Sequence, residues 1–290
     1  MSRHVLVPID GSEQSYAGLE YCFPSFPDAS LTALYVADPA HDHHASVGES
    51  QPPAERGERV LERAVELADE HGRKLQTDRR TGTPHSEILS IATEESIDHV
   101  VMGSHGESPI TRPFLGHVSE AVVRRAPVST TIVPESLASL RDRDLPGRVL
   151  VPVDGSEQAE AALAYACETF PDGTDTVLHV IELPFDRSRA DIEGTYLDKI
   201  QTAHERSAEE ILESATAVAK DHGVAVETVT AYGDPEAEII DYAEDHDYDQ
   251  IVMGSHGRSL AARLLMGSVA ERVTRRSPLT VTLARDVAEE

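Results

Sequence analysis

Short runs of β-branched residues alternate along this chain with longer segments whose apolar positions recur at helical spacing. The first run, Val5 to Ile9, ends in a Pro-x-Asp-Gly-Ser turn, as does a later one, Val149 to Val153. A helix is expected after each turn, because Ser12 or Ser156 can accept its first unpaired N–H groups, with apolar positions following up to Pro24 or Pro171. Second runs cover Leu31 to Ala37 and Thr176 to Ile181, and each leads into a long amphipathic segment. In the first of these, Val60, Leu61, Ala64, Val65 and Ala68 share a face, as do Ile211, Leu212, Ala215 and Ala219 in the second. Gly72 and Gly223 are stop signals for the two helices. Each set is completed by a third strand, a third helix (His85 to Ser96; Pro235 to Asp247), a fourth strand ending in Met-Gly-Ser-His-Gly, a fourth helix and a fifth strand.

The order of elements repeats because the chain is a duplication. VLVPIDGSEQ at 5–14 recurs as VLVPVDGSEQ at 149–158, VVMGSHG from Val100 as IVMGSHG from Ile251, and the tail RRAPVSTTIV as RRSPLTVTL. The stretch Glu135 to Arg148 lacks apolar periodicity, so residues 1–135 and 148–290 are read as two domains joined by a linker at 136–147. Strands separated by helices run parallel through right-handed crossovers, so the predicted fold is α/β, a doubly wound, five-stranded parallel sheet in each half. In such sheets a ligand crevice opens beyond the carboxyl ends of the strands where their order reverses, which lies between strands one and four if these are neighbours. The last strands, Val128 to Val133 and Leu279 to Leu283, are apolar edges, and the halves are expected to pack through them as a pseudo-twofold pair.

Composition narrows the chemistry. Among 290 residues, 52 Asp and Glu face 25 Lys and Arg, for a net charge of −27, which argues against nucleic acid or an anionic membrane as partner. Lys74, Lys199 and Lys220 are the only lysines, and none follows a glycine run, which excludes a Walker A loop. An acidic, lysine-poor chain resembles proteins of a salt-adapted, haloarchaea-like cytoplasm, where at molar salt the Debye length is about 3 Å and self-repulsion is screened. An ordinary acidic protein is the other reading. Cys22 and Cys167 lie far apart in apolar helical patterns, as core residues of a reducing compartment would. No charged-then-apolar leader precedes Val5 and no run approaches a membrane span, so a cytoplasmic location is expected.

The loop after strand four holds Gly103, Gly106 and Gly116 in one half and Gly254, Gly257 and Gly267 in the other, both as G-x2-G-x9-G. Such glycines let backbone N–H groups approach phosphate oxygens, and the third opens a helix whose N-terminus attracts an anion. The competing reading is that they only turn tight corners. With these residues in view, the whole chain resembles two tandem universal stress protein domains of the ATP-binding, adenine nucleotide alpha hydrolase-like kind. The family pattern adds a Ser or Thr after the third glycine, which the second half meets with Ser268. The resemblance implies that Asp154 and the backbone of Pro152 and Val180 hold adenine and ribose, and that Met253, Gly254, Gly257, Gly267, Ser268 and Val269 meet the phosphates. In the first half Pro8, Asp10, Val36, Met102, Gly103, Gly106, Gly116 and Val118 match, but His117 stands where the hydroxyl belongs and Glu107 where the second half has Arg258. Nucleotide is therefore expected mainly in the second half, unless His117 merely turns to solvent. The cofactor implied is ATP, with magnesium as its optional counter-ion.

Three classes of function compete: a nucleotide-sensing regulatory protein, an ATP hydrolase, and a scaffold that has lost its ligand. The enzyme class lacks a G-x-S-x-G elbow, an H-E-x-x-H pair and a lysine near the glycine loop. His105 and His256 stand between two glycines as candidate bases, without an evident orienting carboxylate, which leaves room for slow incidental hydrolysis at most. His41, Asp42, His43 and His44 read as a solvated loop rather than a metal site, since a segment without strand or helix periodicity preorganises ligands poorly. Association beyond the paired halves into a homodimer is left open, and no residue singles out a protein partner.

Overall fold

Val5, Leu6 and Val7 are all fully buried, as are Val149, Leu150 and Val151. Three consecutive buried positions mark a strand covered on both faces, as in a parallel sheet between helix layers. The computed structural model describes residues 3–39, 53–94, 96–105, 115–134, 144–183, 196–255 and 266–285. It divides into two compact units, Met1–Pro146 with Pro278–Glu290, and Gly147–Ser277.

The first unit contains β1 (His4–Pro8), α1 (Glu13–Ser25), β2 (Ser30–Ala37), α2 (Pro53–Glu70), β3 (Leu75–Thr81), α3 (Pro84–Glu94), β4 (His99–Gly103), α4 (His117–Arg125) and β5 (Ser129–Val133). Its strand order is β3-β2-β1-β4-β5, all parallel. The second unit repeats the plan with β6 (Val149–Pro152), α5 (Glu157–Thr169), β7 (Thr174–Ile181), α6 (Tyr196–Asp221), β8 (Glu227–Tyr232), α7 (Pro235–Asp245), β9 (Gln250–Gly254) and α8 (Ser268–Arg276). Here the order is β9-β6-β7-β8, again parallel. The chain moves outward from β1 to β2 and β3, then returns to lay β4 on the other side of β1. Strands one and four are thus neighbours in both repeats, with Leu6 beside Val100 and Leu150 beside Ile251, and the order reverses between them.

The final strand, β10 (Thr280–Ala284), completes the ten strands and pairs with the other last strand, as expected. It packs with the first unit and runs antiparallel to β5, with Thr282 opposite Thr131. Its central contact is polar: Thr131 Oγ1 lies 2.7 Å from Thr282 Oγ1 and 2.7 Å from His99 Nε2. Arg285 extends the attachment, its N–H donating to Ser129 Oγ across 3.1 Å.

Helix ends follow local chemistry more than hydrophobic period. Ser12 and Ser156 cap α1 and α5 as expected, each Oγ accepting an N–H at 3.2 Å, from Ser15 and from Ala159. The first helix was expected to stop at Pro24, yet α1 includes that residue and ends at Ser25. A proline in the last turn removes only its own N–H, and other carbonyls at this end are met by Arg73, its guanidinium donating to Phe23, Phe26 and Ala29 at 2.8, 3.0 and 3.1 Å. The third helices stop at Glu94 and Asp245, two residues short of the expected ends, because the chain turns left-handed at Ser96 (φ 51°) and Asp247 (φ 54°). Gly72 and Gly223 take the same left-handed conformation at φ 65° and 76°, as helix-stopping glycines do. Cys22 and Cys167 are buried, and burial raises both thiols, that of Cys167 to about 11. No described helix is long and apolar enough to cross a membrane.

Candidate functional site

At the exit of strand one the chain turns through Asp10 or Asp154, whose carboxylate is held by the serine that caps the next helix. Asp10 Oδ1 accepts the Ser12 N–H at 3.0 Å and its hydroxyl at 2.6 Å. Asp154 Oδ1 accepts the same two donors of Ser156, the N–H at 3.0 Å. The serine therefore caps the helix and orients the acid, a second task that the cap signal alone does not reveal. One oxygen of each aspartate is engaged inside the turn.

Beside this turn stands the end of strand two. The Ile9 N–H donates to Leu34 O and the Val153 N–H to Leu178 O, each at 2.8 Å, so these carbonyls face strand one. Strand geometry alternates with a period of two, so Val36 and Val180 turn their main-chain groups the same way, past the ends of β1 and β6. Pro8 and Pro152 are the last residues of those strands and lie opposite Leu34 and Leu178. The backbone edge expected to meet adenine is thus present in both repeats.

The glycine loop begins at Met102 and Gly103, or Met253 and Gly254, as the fourth strand ends. The first glycine of the motif has a packing role: a Cβ on Gly103 would stand 2.6 Å from the Gln14 carbonyl carbon and oxygen, and one on Gly254 2.8 Å from Gln158 O. It lets the helix after strand one approach strand four, which goes beyond the two readings set out from the spacing. The third glycine behaves differently. Gly116 (φ −63°, ψ 153°) and Gly267 (φ −64°, ψ 145°) are N-caps in extended conformations open to any residue. Backbone strain does not explain glycine there, and N-caps favour Ser, Thr, Asp or Asn. Three other helices follow that preference through Ser12, Ser156 and Asp234. The starts of α4 and α8 instead carry no capping side chain, which leaves room for an anion.

Main-chain bonds hold each helix start against its strand exit. Gly116 N–H donates to Ser104 O at 2.8 Å and Gly267 N–H to Ser255 O at 2.9 Å, closing the loop at its base. Ser104 and Ser255 are buried pins that the glycine spacing did not single out, although both sit inside the repeated Met-Gly-Ser-His-Gly motif. Ser268 and Val269 form the first turn of α8, as His117 and Val118 do in α4. His105 Nδ1 lies 2.9 Å from Ser104 Oγ. Gly106, Glu107, His256, Gly257, Arg258 and the cluster His41, Asp42, His43 and His44 fall outside the described residues. Among the described residues no group of three His, Cys, Asp or Glu is placed to hold a metal. A groove lined by Glu209, Leu212, Glu213, Thr216 and Thr228 reaches the start of β8, the end of the sheet opposite these loops, and includes none of the expected site residues.

Comparison with known proteins gives the same picture. The description "Universal stress protein family" matches residues 1–134 and 146–285. A universal stress protein of Mycobacterium tuberculosis is 29% identical over 304 residues, spanning 97% of this chain and 96% of its own. One from Methanocaldococcus jannaschii is 29% identical over 140 residues, 45% of this chain and 81% of its own. The crystal structure of a universal stress protein from Archaeoglobus fulgidus superposes with a TM-score of 0.70 at 27% identity, covering 98% of this chain and 99% of that one. With the family matched twice over nearly the whole length and the same double fold in a relative, this chain belongs to the universal stress protein family and carries two of its domains in tandem.

Proposed function

We propose that the protein binds adenine nucleotide, ATP with or without magnesium, chiefly through its second repeat, and that it serves a regulatory role in stress rather than as an enzyme. The observation that carries this reading is the start of α8, a glycine-capped helix N-terminus pinned to the exit of β9, with the Ser268 hydroxyl in its first turn. Such a terminus offers N–H groups and a positive dipole end to a phosphate. Ser268 adds a hydroxyl donor, Asp154 an acceptor for ribose, and Val180 with Pro152 a backbone edge for adenine. The first repeat shares this scaffold but begins its helix with His117, so it binds more weakly. We also assign residues 1–135 and 148–290 to the two domains, joined by 136–147. The β5–β10 pairing supports an intramolecular pseudo-dimer of the repeats. Heat-denaturing the purified protein and identifying released nucleotide by mass spectrometry tests the reading. Adenine nucleotide near one per chain is expected, and failure to retain it or to bind added ATP removes the proposal.

The −27 charge supports residence in a salt-adapted cytoplasm, without nucleic acid or membrane as partner. Repulsion among carboxylates opposes compaction in dilute buffer and is screened at molar salt. The melting temperature is therefore expected to rise from dilute buffer to molar KCl, and a flat or falling profile contradicts salt adaptation.

A further inference from the structure

The repeats hold their glycine-capped helices by different means. In the first, Ser119 Oγ donates to Gly103 O across 2.9 Å, tying the first turn of α4 to the end of β4. Arg285 holds the other end, its Nη2 donating to Val123 O and Arg124 O at 3.3 and 3.2 Å. In the second repeat the place of Ser119 is taken by Ala270, which has no hydroxyl, and a carboxylate from α7 reaches α8 instead. Glu236, the second residue of α7, is only 4% exposed. Its Oε1 lies 2.7 Å from Arg276 Nη1 and its Oε2 2.9 Å from Arg272 Nε. Arg272 Nε in turn donates to Ser268 O at 3.3 Å, which carries the contact to the first turn of α8. The corresponding positions of the first repeat hold His85 and Ala121, which cannot form this bridge.

Burying a carboxylate is costly, and a buried ion pair often contributes little net stability against a well-packed apolar alternative. What it supplies is position, since charge contact with two guanidinium groups one helical turn apart, made although Glu236 Oε1 has no aligned hydrogen bond, restricts both the rotation and the height of the helix that bears them. We infer that Glu236 is a positioning residue for the second nucleotide site, one that touches no ligand but sets where α8 presents Ser268 and the N–H of Val269. This rests on the reading of α8 as the phosphate-binding helix.

The test is calorimetry on the full chain with two probes, MgATP and adenosine, which lacks the phosphates. Glu236→Gln is expected to lower MgATP affinity about tenfold while adenosine affinity stays within about twofold, because only the phosphate end is misplaced. Arg272→Met keeps the Glu236–Arg276 pair and therefore the fold, and it should shift the same ratio in the same direction. The double variant should lose little beyond the larger single loss, as residues acting through one bridge do. Equal losses for both probes would mark Glu236 as a merely structural support, and an unchanged MgATP affinity in both single variants would remove the positioning role. Wild-type protein that binds neither probe would overturn the nucleotide reading itself, and the role of Glu236 with it.

Discussion

Gly267→Ser is expected to raise the melting temperature slightly while lowering ATP affinity about tenfold or more. Serine is a favoured N-cap residue and Gly267 already has the backbone conformation of one, at φ −64° and ψ 145°. Its hydroxyl would accept the N–H of Val269 or Ala270, which stabilises α8 by a few tenths of a kcal/mol relative to glycine. Those N–H groups are the ones offered to phosphate. A hydrogen bond to a charged group is worth about 1.5 to 3 kcal/mol, so spending one on the cap costs roughly ten- to a hundredfold in affinity. Gly267→Val separates steric blocking from capping, since the extended backbone accepts valine and a poor N-cap costs about 1 kcal/mol of stability. Gly116→Ser and Gly116→Val should change ATP binding much less, because His117 already replaces the hydroxyl in the first repeat. Calorimetric titration with parallel thermal melts measures both quantities. Loss of binding in the Gly116 variants with binding intact in the Gly267 variants would reverse the assignment of the two repeats.

Acid should unfold the protein through His99. This imidazole is fully buried between Phe26, at 5.0 Å between ring centroids, and Thr131. Burial, and secondly the positive charge of Arg3, lowers its pKa from 6.5 to about 3. The folded state thus keeps His99 neutral while the unfolded chain takes up a proton below about pH 6.5. Its contribution to stability is complete above that pH, falls as the pH drops, and levels off near pH 3, where the folded state is protonated as well. The loss approaches about 1.4 kcal/mol for each pH unit within that window. His99→Gln should remove this slope at modest cost at neutral pH, because the second repeat already places a fully buried glutamine, Gln250, at the equivalent position. Urea unfolding at several values between pH 7.5 and 4.5 compares the two proteins. Parallel stability profiles would show that the acid sensitivity arises elsewhere.

Local signals of the first repeat reappear in the second, which made them readable twice. The Asp-Gly-Ser turns, the capping serines and the stop glycines all depend on contacts within a few residues. Helix ends were less legible. Pro24 marks a stop in a local reading, yet α1 runs on to Ser25, and Arg73, some fifty residues further along, satisfies the carbonyls of Phe23, Phe26 and Ala29 around that end. Ser96 and Asp247 carried no local mark of the left-handed turn that ends their helices.

The sequence alone determined the duplication, the parallel α/β character and the location of the loops after strands one and four, with the residue types they carry. These follow from periodicity and from turn chemistry, which act at short range. Only the tertiary structure decided how those residues divide their work. Gly103 and Gly254 are required by backbone packing against the preceding helix, whereas Gly116 and Gly267 leave a helix terminus open. Asp10 and Asp154 spend one oxygen on their own turn, and Glu236 of α7 pairs with Arg272 and Arg276 of α8. Each joins groups distant in sequence or turns on ångström-scale distances, and neither is encoded in a pattern of hydrophobic and polar positions.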